Sequence, residues 1–208
     1  DKYTGLFDKD GKKYYASFGV LASGWKAIQD DGENSHDYYF DPTTFVAATG
    51  ETTINGMTYT FNDQGQLVRG AFYSDGTGIR YNWAGRDLWR RFVTLEEGTY
   101  WITTEQHVAY GYAPTVTTNT MDHTWYHFDE QTGLLTGVAS GIFTYQGSPY
   151  YADENGKTFY GLIKTDKGIV FSGTLGKLSV DTGVYVDSST GQKGCSLTPG
   201  WYYADSNG

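Results

Sequence analysis

A single cysteine, Cys195, stands in a chain of 208 residues, so no internal disulfide can form. With only Lys193 as a nearby basic neighbour, it makes no case for thiol chemistry. Charged residues are scarce at 19%, and the basic ones are scarcer: 15 Lys and Arg against 24 Asp and Glu give a net charge of -9. Such a field repels nucleic acid and anionic membrane, so neither is expected as a partner. No apolar run reaches the length of a membrane span, so no membrane insertion is expected, and the opening "DKYTGLFDKDGKK" is not a signal peptide. Ala, Leu, Glu and Lys, which a helical domain would favour, give way to 28 Gly and 19 Tyr, with aromatics at 17%. Glycine mixed with Tyr, Thr, Phe and Val suits short strands joined by tight turns, and the expected class is all-β.

A short aromatic strand returns along the whole chain. Its cores are "YYAS" at 14, "YYFD" at 38, "YTFN" at 59, "YNWA" at 81, "YWIT" at 100, "YHFD" at 126, "YYAD" at 150, "IVFS" at 169, "VYVD" at 184 and "YYAD" at 202. Successive starts lie roughly twenty residues apart, the period of a repeat array. The members at 169 and 184 match least well. Gly11, Gly56, Gly78 and Gly147 stand three residues before their cores, and Gly98 and Gly200 two before theirs, where hairpin turns call for positive φ. Asn55-Gly56 is the strongest of these signals. After the core comes Asp, Asn or Ser and then a second Gly, as in "DQGQLVRG" (63 to 70), which reads as a further turn and a short strand.

A tile of this kind cannot stand alone. Its two or three aromatic side chains contribute about 2 kcal/mol each on burial, against ordering costs of about 1.5 kcal/mol per residue. Repetition of one strand implies that each hairpin makes the same contact with its predecessor, which is the solenoid solution. The expected fold is an elongated β-solenoid of stacked hairpins of about twenty residues. The expected organisation is one array over 1–208: short repeats over 1–70, a long insert over 71–116, short repeats over 117–165 and degenerate repeats over 166–208. Both ends cut into the pattern, so the remainder of a longer parent chain is expected.

The insert concentrates binding chemistry. It holds Trp83, Trp89 and Trp101, the arginines Arg86, Arg90 and Arg91, and Tyr110 and Tyr112. Within it, "AGRDLWRRFVTLEEG" has the helical spacing of Leu88, Arg91 and Phe92, although an extended loop is the preferred reading.

The units "SGWKAIQDDGENSHDYYFDPTTFVAATG" and "ETTINGMTYTFNDQGQLVRG" resemble consecutive members of the cell-wall-binding and glucan-binding repeat superfamily. Within it, the likeness is greatest to the combined repetitive oligopeptides of the large clostridial toxins, whose short repeats are interrupted by longer ones. The resemblance runs from about 20 to 165 and fades between 165 and 200, where the Tyr-Tyr and Gly-Trp signals are lost. It implies stacked hairpins that bind carbohydrate or cell-wall ligands, on a secreted or cell-surface bacterial protein. Choline cages of the superfamily want Trp in unit after unit, yet Gly-Trp occurs only at Gly24-Trp25 and Gly200-Trp201, which disfavours choline.

A sugar needs a flat apolar face and a few fixed polar groups. Trp83, Trp89 or Trp101 offers the face, and Arg86, Asp87 and Arg90 offer polar contacts; Tyr112 and Trp125, which precedes a core, complete the candidate set. Catalysis is not expected, because the carboxylates Asp30-Asp31, Glu96-Glu97 and Asp129-Glu130 fall in turn-like stretches. No metal or cofactor is expected either. His123 and His127 lie on a strand, about 13 Å apart on one face. A calcium loop opening at Asp8 and Asp10 would put Gly19 where a Glu is required. The expected function is a noncatalytic module for an oligosaccharide or polysaccharide. A cell-wall anchor and a structural spacer or protein-binding stalk are the alternatives.

Overall fold

The computed structural model describes residues 2–32, 34–116 and 123–206. Apart from one 3-10 turn at Thr174–Gly176, every named element among these residues is a strand, so the fold is all-β. The chain divides into two compact units, one of Asp1–Trp89 with Thr104–Val108, the other of Arg90–Thr103 with Ala109–Gly208. The boundary passes through the long insert.

In the first unit, β1 (Gly5–Lys9), β2 (Lys12–Ser17) and β3 (Val20–Leu21) form one antiparallel sheet, and β4 (Gly24–Gln29) pairs with β5 (Ser35–Phe40). β6 (Gly50–Ile54), β7 (Met57–Phe61) and β8 (Leu67–Arg69) form a third sheet, followed by β9 (Ala71–Ser74), β10 (Ile79–Trp83) and β11 (Arg86–Asp87). In each hairpin the repeated aromatic core lies on the second strand.

Two local devices build the hairpin. The first is the two-residue turn: Asn55 and Gly56 have φ of 51° and 79°, the mirror-image turn whose twist matches that of paired strands. The second is the polar residue that ends the core. Asp41 accepts hydrogen bonds from the backbone N–H of Thr43 and Thr44, and Asn62 accepts from those of Gln64 and Gln66. These side chains close the connector turn and satisfy backbone donors that no ladder reaches.

Packing then follows from the period-two alternation of the strand. Tyr59 and Phe61 are buried and meet Trp25 of the preceding hairpin at ring distances of 4.9 and 5.8 Å. Gly78 does not take the positive φ expected of it. It is glycine for space, because a Cβ there would lie 2.8 Å from the His107 ring.

The segment from 84 to 98 is neither helix nor open loop. Ala84 and Gly85, with φ of 51° and 79°, turn the chain back so that Trp83 faces Arg86 in β11.

In the second unit, β12 (Arg91–Leu95) pairs with β13 (Gly98–Ile102), and β14 (Gly111–Thr115), β15 (Thr124–Phe128) and β16 (Leu135–Val138) form a three-stranded sheet. The hairpins β17 (Gly141–Tyr145) with β18 (Ser148–Ala152) and β19 (Gly161–Thr165) with β20 (Gly168–Ser172) follow. The core at 169 thus lies on a second strand like the others. The core at 184 does not: β21 (Thr182–Val186) is the first strand of a hairpin whose second strand, β23 (Gly200–Ala204), carries the core at 202. Between them, β22 (Gln192–Lys193) pairs in parallel with β19, a departure from the hairpin rule.

Candidate functional site

Four of the sequence-predicted residues fall in the first unit. The Trp83 indole N–H donates to Asp37 Oδ2 at 2.8 Å, and its ring packs against the cluster that holds Tyr59 and Phe61. Asp87 accepts from Asn82 Nδ2 at 2.8 Å and from the Tyr73 hydroxyl at 2.7 Å, with Arg80 Nη1 at 3.7 Å. Asn82 in turn accepts from the Tyr59 hydroxyl at 2.7 Å inside the core. Burial and the charge of Asp87 push that hydroxyl's pKa up to about 12, so it stays a donor. Asp87 therefore serves the internal network. Arg86 and Trp89 are exposed.

The other four fall in the second unit. Arg90 Nε donates to the Val116 carbonyl at 3.3 Å. Trp101 is buried among Ala109, Ala113 and Phe128, with Phe92 at 4.8 Å. Trp125, 1% exposed, donates its indole N–H to the Leu175 carbonyl. Tyr112 lines a groove.

That groove, of about 570 Å³, runs along β14 and the tip of the β17/β18 hairpin. Tyr110, Tyr112 and Tyr145 supply its aromatic lining, and Glu130, Thr144 and Gln146 its polar groups. Phe143 also lines the groove, and Trp125 packs against it. The Tyr112 ring stacks on Phe143 with centroids 4.5 Å apart and planes at 23°. Trp125 meets Phe143 at 5.1 Å and the Tyr145 ring edge-on at 5.0 Å. Rings held by such contacts lose little further rotamer freedom when a ligand binds.

The polar side of the groove is set by two turns. Gln146 and Gly147, with φ of 48° and 74°, form the hairpin tip, and Gln146 Nε2 donates to the Tyr145 hydroxyl at 3.1 Å. Asp129 accepts from the N–H groups of Thr132 and Gln131 and from the Thr132 hydroxyl. The Thr132 N–H foremost holds the Asp129 carboxyl below the usual range. This locked turn carries Glu130 to the groove. The sequence reading centred on tryptophan and assigned Asp129-Glu130 to a turn. The turn is there, and the missed signal is that the glutamate next to the locking aspartate is left to face outward.

One further cluster has donor chemistry. Asp30, Asp31 and His36 bring three ligand atoms within 4.8 Å of one another in the first unit. Both oxygens of Asp30 are already engaged, by His36 Nδ1 at 2.5 Å, the Tyr38 hydroxyl and Gln66 Nε2 at 2.9 Å. The cluster fastens the β4/β5 loop to the turn before β8.

No protein-family model matches the chain. In sequence it is similar to glucosyltransferase-S of Streptococcus mutans serotype c, with 24% identity over 99% of the chain and 12% of the relative. It is also similar to Toxin B of Clostridioides difficile, with 36% identity over 33% of the chain and 3% of the toxin. The superfamily resemblance read from the repeats is borne out. The chain spans a small fraction of either relative's length. Among solved structures, the choline-binding domain of CbpL from Streptococcus pneumoniae matches over 86% of this chain and 98% of that domain, at 18% identity and a TM-score of 0.34, too loose a superposition to argue from. Among the described residues, no helix is long and apolar enough to cross a membrane.

Proposed function

We propose that the chain is a noncatalytic carbohydrate-binding repeat module of a larger secreted bacterial protein, and that its second unit takes a glycan in the Tyr110–Gln146 groove. The observation that carries this reading is the lining. Three tyrosines cover the apolar C–H face of a pyranose, and Glu130, Thr144 and Gln146 bond its hydroxyls. The groove's volume suits a short oligosaccharide rather than a long buried chain. A relative named for glucosyl transfer makes glucose polymers the first ligands to try. Hairpin-on-hairpin packing within each unit supports a β-solenoid, read as one repeat array over 1–208 with short repeats flanking the insert at 71–116. Of the sequence-predicted residues, Tyr112 is assigned to the ligand and Trp125 to its support. Trp89 and Arg86, both exposed in the first unit, are kept as a separate candidate surface.

A second reading has its own observation. A carboxylate beside three tyrosine rings is also suited to a quaternary ammonium, so a choline-bearing cell-wall polymer would fit the same groove. A glycan array spanning α-glucans, galactose-terminated oligosaccharides and wall polymers tests both, with Tyr112→Ala, Tyr145→Ala and Trp89→Ala run beside it. Glycan binding lost in the tyrosine variants and kept in Trp89→Ala supports the groove. Displacement by choline favours the second reading. A blank array from folded protein overturns both and leaves the spacer.

A further inference from the structure

The dipeptide that turns the β6/β7 hairpin, Asn55-Gly56, recurs after β18 as Asn155-Gly156, and the fold treats the two differently. A further copy, Asn207-Gly208, lies outside the described residues. Asn-Gly is chemically labile because glycine has no side chain to hinder its own amide nitrogen from attacking the asparagine side chain. At the first pair that nitrogen is open to solvent. The ladder ends at Ile54 and Met57, which leaves the Gly56 N–H outside it, and both turn residues are exposed. A Cβ built on Gly56 would meet no atom within 4 Å. At the second pair Gly156 is buried, and a Cβ there would lie 2.5 Å from the Trp125 carbonyl. The Gly156 N–H donates to the Asp153 carbonyl at 2.9 Å, and its own carbonyl accepts from the Trp125 N–H at 2.8 Å. Asp153 Oδ1 takes the N–H groups of Asn155 and Lys157, both at 2.9 Å.

We propose that Asn55 is a site of spontaneous deamidation with water as co-reactant, and that the fold protects the same dipeptide at Asn155. The Gly56 amide nitrogen, its proton taken by hydroxide, attacks Asn55 Cγ. A C–N bond forms there, the bond from Cγ to the side-chain nitrogen breaks, and that nitrogen leaves as ammonia with a proton from solvent. Water then opens the cyclic imide. Addition at Cγ restores the normal chain as aspartate, whereas addition at the Asn55 main-chain carbonyl leaves the chain running through Cγ as isoaspartate. Attack requires ψ of the asparagine to leave its turn value, so the rate follows the population of opened turn. At an exposed hairpin tip that opening is local. At Asn155 it breaks the Gly156 bonds to Asp153 and Trp125 and moves a buried residue. Isoaspartate adds a backbone carbon to a turn built for two residues, which loosens the Ile54–Met57 end of the ladder. Ile54 is buried in the cluster of Tyr59 and Phe61, so the change reaches the packing of that hairpin.

The test is incubation of the folded 208-residue chain at mildly alkaline pH. Peptide-level mass spectrometry follows conversion at each asparagine, and an isoaspartyl methyltransferase assay identifies the product. Conversion is expected about tenfold faster at Asn55 than at Asn155. In urea, where only the dipeptide and its flanking residues remain to set the rates, the two should converge. Asn55→Gly keeps a turn of the required φ and should abolish the isoaspartyl signal from that hairpin. Asp153→Ala, which removes the acceptor of the Asn155 and Lys157 N–H groups, should speed conversion at Asn155 about threefold. If that variant folds poorly, the wild-type rates with and without urea still decide. Equal rates at the two sites in the folded protein would overturn protection by the fold, and an Asn55 that converts only in urea would overturn the reactive turn.

Discussion

The junction at Trp125 and the junction at Val184 join hairpins of the same kind in the same unit, yet one is filled with rings and the other holds a cavity. At the first, an indole buried on all sides meets three aromatic neighbours and bonds a carbonyl from beyond the next hairpin. At the second, Leu162, Val170 and Val184 share the walls with Phe171, Tyr202 and Tyr203, and a long loop with a parallel strand replaces the short connector. Hairpin pairing therefore survives incomplete filling between hairpins. What the rings add is density between hairpins, and with it the rigid backing of the Tyr110–Gln146 groove.

The largest effect should come from removing that filling. Trp125→Ala is expected to cost about 3–5 kcal/mol, read as a shift in urea midpoint, against about 1.5 kcal/mol for Val184→Ala. Equal losses at the two sites would break the comparison. Next in size, Tyr112→Ala should leave the fold intact and lower affinity for a groove ligand about tenfold, measured by calorimetry, because a face is lost while Phe143 stays buried. Unchanged affinity would detach the groove from binding.

Asp129→Ala should cost about 1 kcal/mol of stability and also weaken ligand binding, since the turn that carries Glu130 loses three hydrogen bonds. At the last hairpin, Asp187 locks its turn in the same way, so Asp187→Ala should cost stability but leave groove affinity unaltered. A loss of affinity there would blur the distinction between the two junctions.

The smallest effect is one of pH, in the first unit. Hydrogen bonding to Asp30 raises the His36 pKa above 6.5. Burial raises the Asp30 carboxyl, but bonds from Tyr38, His36 and Gln66 outweigh it and hold it at about 2. The histidine's contribution is complete below about pH 6.5 and is lost as pH rises through its raised value. The aspartate's is complete above about pH 4 and is lost as pH falls towards its lowered value. The pair is therefore whole between those limits. His36→Gln should remove the decline in urea midpoint on the alkaline side; persistence of that decline would place its origin elsewhere.

The recurrence of Tyr-Tyr-Phe-Asp was enough to locate the strands, since turns and alternation are local. Asn55-Gly56 forms its hairpin whatever lies beyond, and Asp41 or Asn62 closes a turn within four residues of itself. The all-β class and the tiles were legible for that reason. The core at 184 misled because a strand's residues do not say whether it leads or closes a hairpin; its partner strand begins only at Gly200, beyond a long loop. The candidate residues divide on the same ground. Trp101 and Trp125 look like surface ligands in a sequence rich in exposed aromatics, but contacts with Phe92 and Phe143 bury them. Asp87 is drawn inward by Asn82 and Tyr73.

By itself the sequence determined the repeat, the turn chemistry, the acidic surface and the class of fold, all set within one tile by φ, ψ and side-chain alternation. Tertiary structure decided which rings face solvent, that Glu130 and Tyr112 line one groove, and that a cavity opens beside Val184. Those outcomes depend on how one hairpin meets the next, where the free energy lies in burying rings between tiles rather than in forming each one.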